Sequence, residues 1–175
     1  MNEHILLIGF MGSGKSTIGY RLSCEFKRRF LDTDKLIEQM EGMTITALFA
    51  QKGEAYFREK ETECLKGLSK EPGSRIIALG GGTPMRENNQ ELIKRLGTVV
   101  YLKASGETVY NRLKKDKTRP LLQCENPKER ICALIAERGP VYEKLADIVI
   151  TVDDKQMFEI VKEIREAFTY EDISD

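Results

Sequence analysis

At 175 residues, with 41% hydrophobic and 32% charged side chains, the chain suits one domain with a real core, and no stretch approaches the length of a membrane span. Its 28 basic residues equal its 28 acidic ones, which argues against a nucleic-acid binder that relies on bulk positive charge but leaves room for a local basic pocket. No signal or transit segment is read, and Cys24, Cys64, Cys124 and Cys132, scattered beside the single His4, are expected to be small buried apolar residues of a cytoplasmic protein rather than metal ligands.

The first apolar run, His4 to Ile8, reads as a buried strand. It leads into Gly9-Phe10-Met11-Gly12-Ser13-Gly14-Lys15-Ser16-Thr17, a glycine, four residues, then Gly-Lys-Ser. From Thr17 to Lys27, Ile18, Leu22 and Phe26 fall at helical spacing. Strand, glycine loop and helix together aim backbone N–H groups and a helix N-terminus at a phosphate. Gly12 and Gly14 let the backbone wrap an anion without a Cβ in the way, Lys15 reaches the terminal phosphates, and the Ser16 hydroxyl is suited to Mg²⁺.

A second short strand, from Arg29, ends in the carboxylates of Asp32 and Asp34. One could support a metal and the other orient, or take the proton from, an attacking hydroxyl. The competing reading makes Asp34 a helix cap. Lys35 to Met40 is helical, Thr44 caps a short helix through Gln51, and Gly53 opens a longer one from Glu54 to about Ser69. On it Arg58 and Glu61 stand three apart and can touch, either as a solvated surface pair or as a guanidinium held in place for a carboxylate.

Arg75 to Leu79 is the third strand and runs into Gly80-Gly81-Gly82. Three glycines suit a backbone that closely approaches a ligand; the alternative is a loose left-handed turn. A helix (87–95), a strand (98–102) and a helix (107–115) follow, then a basic stretch with Arg112, Lys117 and Arg119 that reads as a lid bringing positive charge to a transferred phosphoryl group. A helix from Pro127 to about Leu145 carries Arg138, a second carboxylate clamp or a helix C-terminal cation. Strand 147–151 and helix 156–168 complete an α/β pattern with a mostly parallel sheet covered on both faces. In such sheets ligands bind beyond the carboxyl ends of the strands, where the phosphate loop, Asp32/Asp34 and the triple glycine should converge.

Taken together, the glycine loop, Asp32-Thr33-Asp34, Phe57-Arg58-x-x-Glu61, Gly80-Gly81-Gly82, Thr118-Arg119-Pro120-Leu121-Leu122 and Arg138-x-x-x-Tyr142 resemble shikimate kinases, small phosphate-loop kinases of the aromatic amino-acid pathway, over nearly the whole chain. The resemblance implies a three-layer fold like that of nucleoside monophosphate kinases, a five-stranded parallel sheet in the order 2-3-1-4-5, and a single domain over 1–175 with a substrate-binding helical segment at about 33–61 and a lid at about 112–124. It implies transfer of the ATP γ-phosphoryl to the 3-hydroxyl of shikimate, with Gly12, Ser13, Gly14, Lys15, Ser16, Thr17 and Arg119 on ATP, and Ser16 and Asp32 on Mg²⁺. Asp34, Arg58, Gly80, Gly81, Gly82 and Arg138 would hold shikimate, and Lys15, Asp34 and Arg119 would be catalytic, in a monomer that needs neither nucleic acid nor membrane. The adenine turn of the family, often with a proline, has no clear counterpart in Val152-Asp153-Asp154-Lys155. Alternatives are gluconate kinase, a nucleoside monophosphate kinase, or a noncatalytic nucleotide-binding regulator.

Overall fold

The computed structural model describes residues 4–115 and 124–171. Five strands form one all-parallel sheet: β1 (His4–Ile8), β2 (Arg29–Asp32), β3 (Arg75–Ala78), β4 (Gly97–Lys103) and β5 (Ile148–Thr151), in the order β2-β3-β1-β4-β5. The helices between them are α1 (Lys15–Phe26), α2 (Thr33–Glu41), α3 (Ile45–Leu68), α4 (Glu87–Leu96), α5 (Gly106–Leu113), α6 (Pro127–Leu145) and α7 (Met157–Glu171). A 3₁₀ turn, Thr83–Met85, links the triple glycine to α4.

The central strand explains the layering. All five residues of β1 are buried, because it has a neighbour on each side and helices above and below. Alternate side chains then serve two cores. Ile5 and Leu7 pack with Ile18 and Leu22 of α1, Val109 of α5 and Ile160 and Ile164 of α7. Leu6 and Ile8 pack with Ile37 of α2, Phe57 and Leu65 of α3 and Ile93 of α4. The long α6 contributes to both cores, Ile131 and Leu134 to the first and Tyr142 and Leu145 to the second. Arg138 stands in α6 between these two sets of core residues.

Two local expectations are corrected and one is borne out. β2 stops at Asp32, which caps α2 by accepting from the N–H of Asp34 (3.0 Å) and Lys35 (3.3 Å). Asp34 therefore stands in the first turn of α2, and the cap is Asp32. Secondly, the break expected at Gly53 is present: α3 is two helical stretches on either side of a kink at Gly53, whose φ of 81° and ψ of 169° are not helical. Glycine takes that conformation without a Cβ clash, so the first stretch ends and the second sets off in a new direction. Thirdly, only Cys64 among the four cysteines is buried; Cys24, Cys124 and Cys132 are exposed. No described helix is long and apolar enough to cross a membrane. The expected lid lies largely outside the described residues, and Lys117 and Arg119 lie wholly outside them.

Candidate active site

The loop from Gly9 to Gly14 leaves the carboxyl end of β1 through three residues at positive φ: Gly9 (144°), Gly12 (78°) and Gly14 (100°). A Cβ on Gly9 would lie 2.7 Å from the carbonyl oxygen of Leu102, so only glycine lets the loop pass β4 this closely. Gly14 is the left-handed N-cap of α1, and no side chain caps it. The first turn of α1 also lacks acidic residues. Its N–H groups and dipole thus face the loop interior without a competing anion from that turn, a setting suited to phosphate. Lys15 bends back over the loop, its Nζ donating to the carbonyls of Gly9 (2.7 Å) and Phe10 (3.0 Å). Arg112, at the end of α5, donates from Nη1 to the carbonyl of Gly12 (3.0 Å), so a cation from the edge of the expected lid already touches the loop.

Ser16 Oγ donates to Asp32 Oδ2 at 2.7 Å, while the other oxygen of Asp32 caps α2. A hydroxyl and a carboxylate at the helix start, with room for water, form a hard oxygen pair suited to Mg²⁺, which keeps most of its own waters. Among the described residues no cluster of three or more His, Cys, Asp or Glu side chains could hold a metal by itself.

Asp34 is the most perturbed acid of the site. Its Oδ1 is buried and has no hydrogen-bond partner. Burial pushes its carboxyl up to about 6, helped by the negative charges of Asp32 and Glu61 and opposed by Lys15 and Arg58. A buried, unpartnered carboxylate oxygen between two cations and two anions is costly to keep, and groups of this kind concentrate at functional sites.

Arg58 and Glu61 are not a solvated surface pair. Glu61 is 1% exposed, and its Oε2 accepts from Arg58 Nη1 at 2.8 Å. Glu54 takes the other side of the fork, at 3.0 Å from Nη2 and 3.3 Å from Nε. Burial opposes the charge of Arg58, but Glu61 and Glu54 hold the guanidinium above its ordinary value, so it is always a cation.

The triple glycine is explained by its neighbours. None of Gly80, Gly81 and Gly82 has a positive φ, so the left-handed turn is ruled out. A Cβ on Gly80 would lie 2.6 Å from Asp34 Oδ1 and 2.9 Å from Glu61 Oε1; one on Gly82 would lie 2.3 Å from Arg58 Nη1. The glycines make space for the functional side chains. Gly80 N–H donates to Thr33 Oγ1 (3.1 Å), and the Gly81 carbonyl accepts from the Tyr142 hydroxyl (2.6 Å). That bond ties α6 to the glycine turn. Burial pushes the Tyr142 phenol up to about 12, against the pull of Arg138 and Arg58. Arg138 lies with its guanidinium 5.6 Å from the centre of the Phe10 ring, over the phosphate loop. The structure thus brings Lys15, Asp34, Arg58, Arg138 and the three glycines to one rim.

Two supporting residues escape sequence reading: Thr83, which donates to Glu61 Oε1 at 2.6 Å, and Asn89 behind it. Tyr142, the latch on Gly81, stands in the sequence motif four residues after Arg138, but its role is not legible there. Near β5, Val152 is fully buried and Asp153 accepts from the Ser105 N–H at 3.0 Å, so this turn is occupied by an internal cap.

A family model for shikimate kinase matches residues 11–169. The chain belongs to the shikimate kinase family. A shikimate kinase of Sulfurihydrogenibium is 46% identical over 162 residues, which is 93% of this chain and 95% of that protein. One from Caldanaerobacter subterraneus is 38% identical over 166 residues, 95% and 96% of the two chains. The solved shikimate kinase of Acinetobacter baumannii, in complex with shikimate, superposes with a TM-score of 0.90 at 36% identity, covering 97% of this chain and 94% of that one. A deoxyadenosine kinase from M. mycoides, at 17% identity and a TM-score of 0.61, shares the fold alone. Family membership makes the chain an ATP-dependent small-molecule kinase and sets aside the gluconate and nucleoside monophosphate kinase readings.

Proposed function

We propose that the chain transfers the γ-phosphoryl group of ATP to the 3-hydroxyl of shikimate, giving shikimate 3-phosphate and ADP. The observation that carries this is the grouping of Arg58, Glu61 and Asp34 around Gly80–Gly82, on the same rim as the Lys15 loop. A small polyol with one carboxylate needs a fork for the acid and an acceptor for a hydroxyl, and both stand here.

In this reading Arg58 and Arg138 hold the carboxylate, and the Gly81 and Gly82 backbone meets another substrate oxygen. Asp34 orients the attacking hydroxyl, and its Oδ1 receives the proton as the oxygen bonds to phosphorus. Gly12 to Thr17 cradle the ATP phosphates, and Lys15 exchanges its bonds to Gly9 and Phe10 for phosphate oxygens, neutralising charge as it develops. Ser16 and Asp32 would hold Mg²⁺, which would supply positive charge against the phosphates. Arg112 supplies positive charge beside the loop, and Arg119 is assigned to the lid on the resemblance alone. A monomer in the cytoplasm is the expected setting.

An ADP-release assay across shikimate, gluconate and nucleoside monophosphates tests the proposal. Turnover with shikimate alone is expected; activity on another acceptor with none on shikimate would overturn it. ATP binding without turnover on any acceptor would favour a regulator.

A further inference from the structure

Asn89 lies in the first turn of α4 and is completely buried. It is not the cap of its own helix. Its side chain instead reaches two other elements: Nδ2 donates to the carbonyl of Thr83 at 2.9 Å, and Oδ1 accepts from Thr62 Oγ1 of α3 at 2.8 Å. A buried amide is costly unless bonded, and here both ends are bonded. Thr62 directly follows Glu61, and Thr83 directly follows Gly82.

These bonds close a ring. Thr83 donates through Oγ1 to Glu61 Oε1 at 2.6 Å, and Glu61 holds Arg58 through its other oxygen at 2.8 Å. The turn after the glycines is therefore fastened to α3 twice, once through Glu61 and once through Asn89 and Thr62. Gly82 also packs closely on the Arg58 guanidinium, since a Cβ there would lie 2.3 Å from Nη1. A small displacement of the turn from α3 moves Glu61, and Arg58 with it.

We propose that Asn89 is a positioning residue for the acceptor clamp: by tying the Thr83 turn to Thr62 it sets where the Arg58 guanidinium meets the acceptor's carboxylate. This rests on the reading of the site as a shikimate-phosphorylating one. Asn89 makes no hydrogen bond to the phosphate loop, so nucleotide binding should be insensitive to it.

The test is steady-state kinetics of Asn89→Ala, alone and combined with Arg58→Ala, with KM read separately for shikimate and ATP. We expect shikimate KM to rise roughly tenfold, the scale of losing buried hydrogen bonds, with ATP KM unchanged within about twofold. In the Arg58→Ala background that rise should vanish, since the residue acts through the arginine. Equal effects on both substrates, or the same rise without Arg58, would reduce Asn89 to a packing role and overturn the proposal. Thr62→Val, which conserves volume and removes the donor to Oδ1, reads the same tie if Asn89→Ala does not fold; an unchanged shikimate KM there would also overturn it. A wild-type protein inactive on shikimate would instead overturn the reading of the site, and this inference with it.

Discussion

On the acceptor side, Arg58 is gripped by the carboxylates of Glu54 and Glu61 on its own helix; on the phosphate side, Lys15 bonds the main-chain carbonyls of Gly9 and Phe10 in its own loop. The two cations are thus held in different ways. A carboxylate as buried as Glu61 cannot lose its partner cheaply, so Arg58 is fixed in place before any acceptor arrives. Neutral carbonyls grip an ammonium more weakly, and Lys15 can trade them for phosphate oxygens of full charge. The acceptor half is built for position, and the phosphate half for exchange.

The sharpest way to break this contrast is at Lys15. Lys15→Ala should cut kcat by about a thousandfold or more, because the phosphoryl group loses its nearest cation, and preserved kcat in a single-turnover assay would remove Lys15 from the mechanism. Asp34→Asn should follow, with a loss of roughly a hundred- to ten-thousandfold in kcat. Since Asp34 must be ionised to accept a proton, kcat/KM for shikimate should fall on the acid side with a midpoint near about 6. The stability effect has the opposite sign. A carboxyl whose pKa is raised on folding binds its proton more tightly in the native state, so it costs stability as pH rises from about 4 to about 6. Asp34→Asn should therefore unfold at higher temperature than wild type at pH 7, with the gain shrinking towards pH 4.

Gly82→Ala probes the acceptor half more gently. Its new Cβ must displace a guanidinium pinned by two glutamates, and shikimate KM should rise about tenfold with ATP KM unchanged. The smallest effect lies at the far end of β1, away from both halves. His4 is buried, and its Nδ1 accepts from the Arg75 N–H at 3.1 Å. Burial, then the charge of Arg75, lowers its pKa below the ordinary histidine range. The unfolded chain then takes up the proton first, so stability is lost as pH falls below about 6.5. Because Asp34 acts with the opposite sign over part of this range, the His4 effect is read as a difference: between pH 7 and 5 wild type should lose on the order of a few degrees in Tm relative to His4→Gln.

Much of this was legible in the chain itself. The five strands are short apolar runs because both faces of a parallel sheet are covered, and the phosphate loop follows the first of them at the expected spacing. The place of Asp34 was not, since in Asp32-Thr33-Asp34 either acid could cap the helix and only the bonds from Asp34 and Lys35 to Asp32 decide it. The triple glycine pointed to close approach, but not to what approaches; the neighbours are Asp34, Glu61 and Arg58, distant in sequence. Glu61 looked like half of a surface pair, because its burial depends on Thr83 and the turn that packs over it. Asn89 gave no signal at all, being one polar residue in the first turn of a helix where polar residues are ordinary.

The central claim is that Arg58 serves the acceptor and not the nucleotide. Calorimetric titration of shikimate and of ATP into wild type and Arg58→Ala tests it directly. We predict that shikimate affinity falls by roughly a hundredfold, as for a lost charge-assisted fork, while ATP affinity stays within about twofold. An equal loss for both ligands, or shikimate binding left intact, would contradict the account.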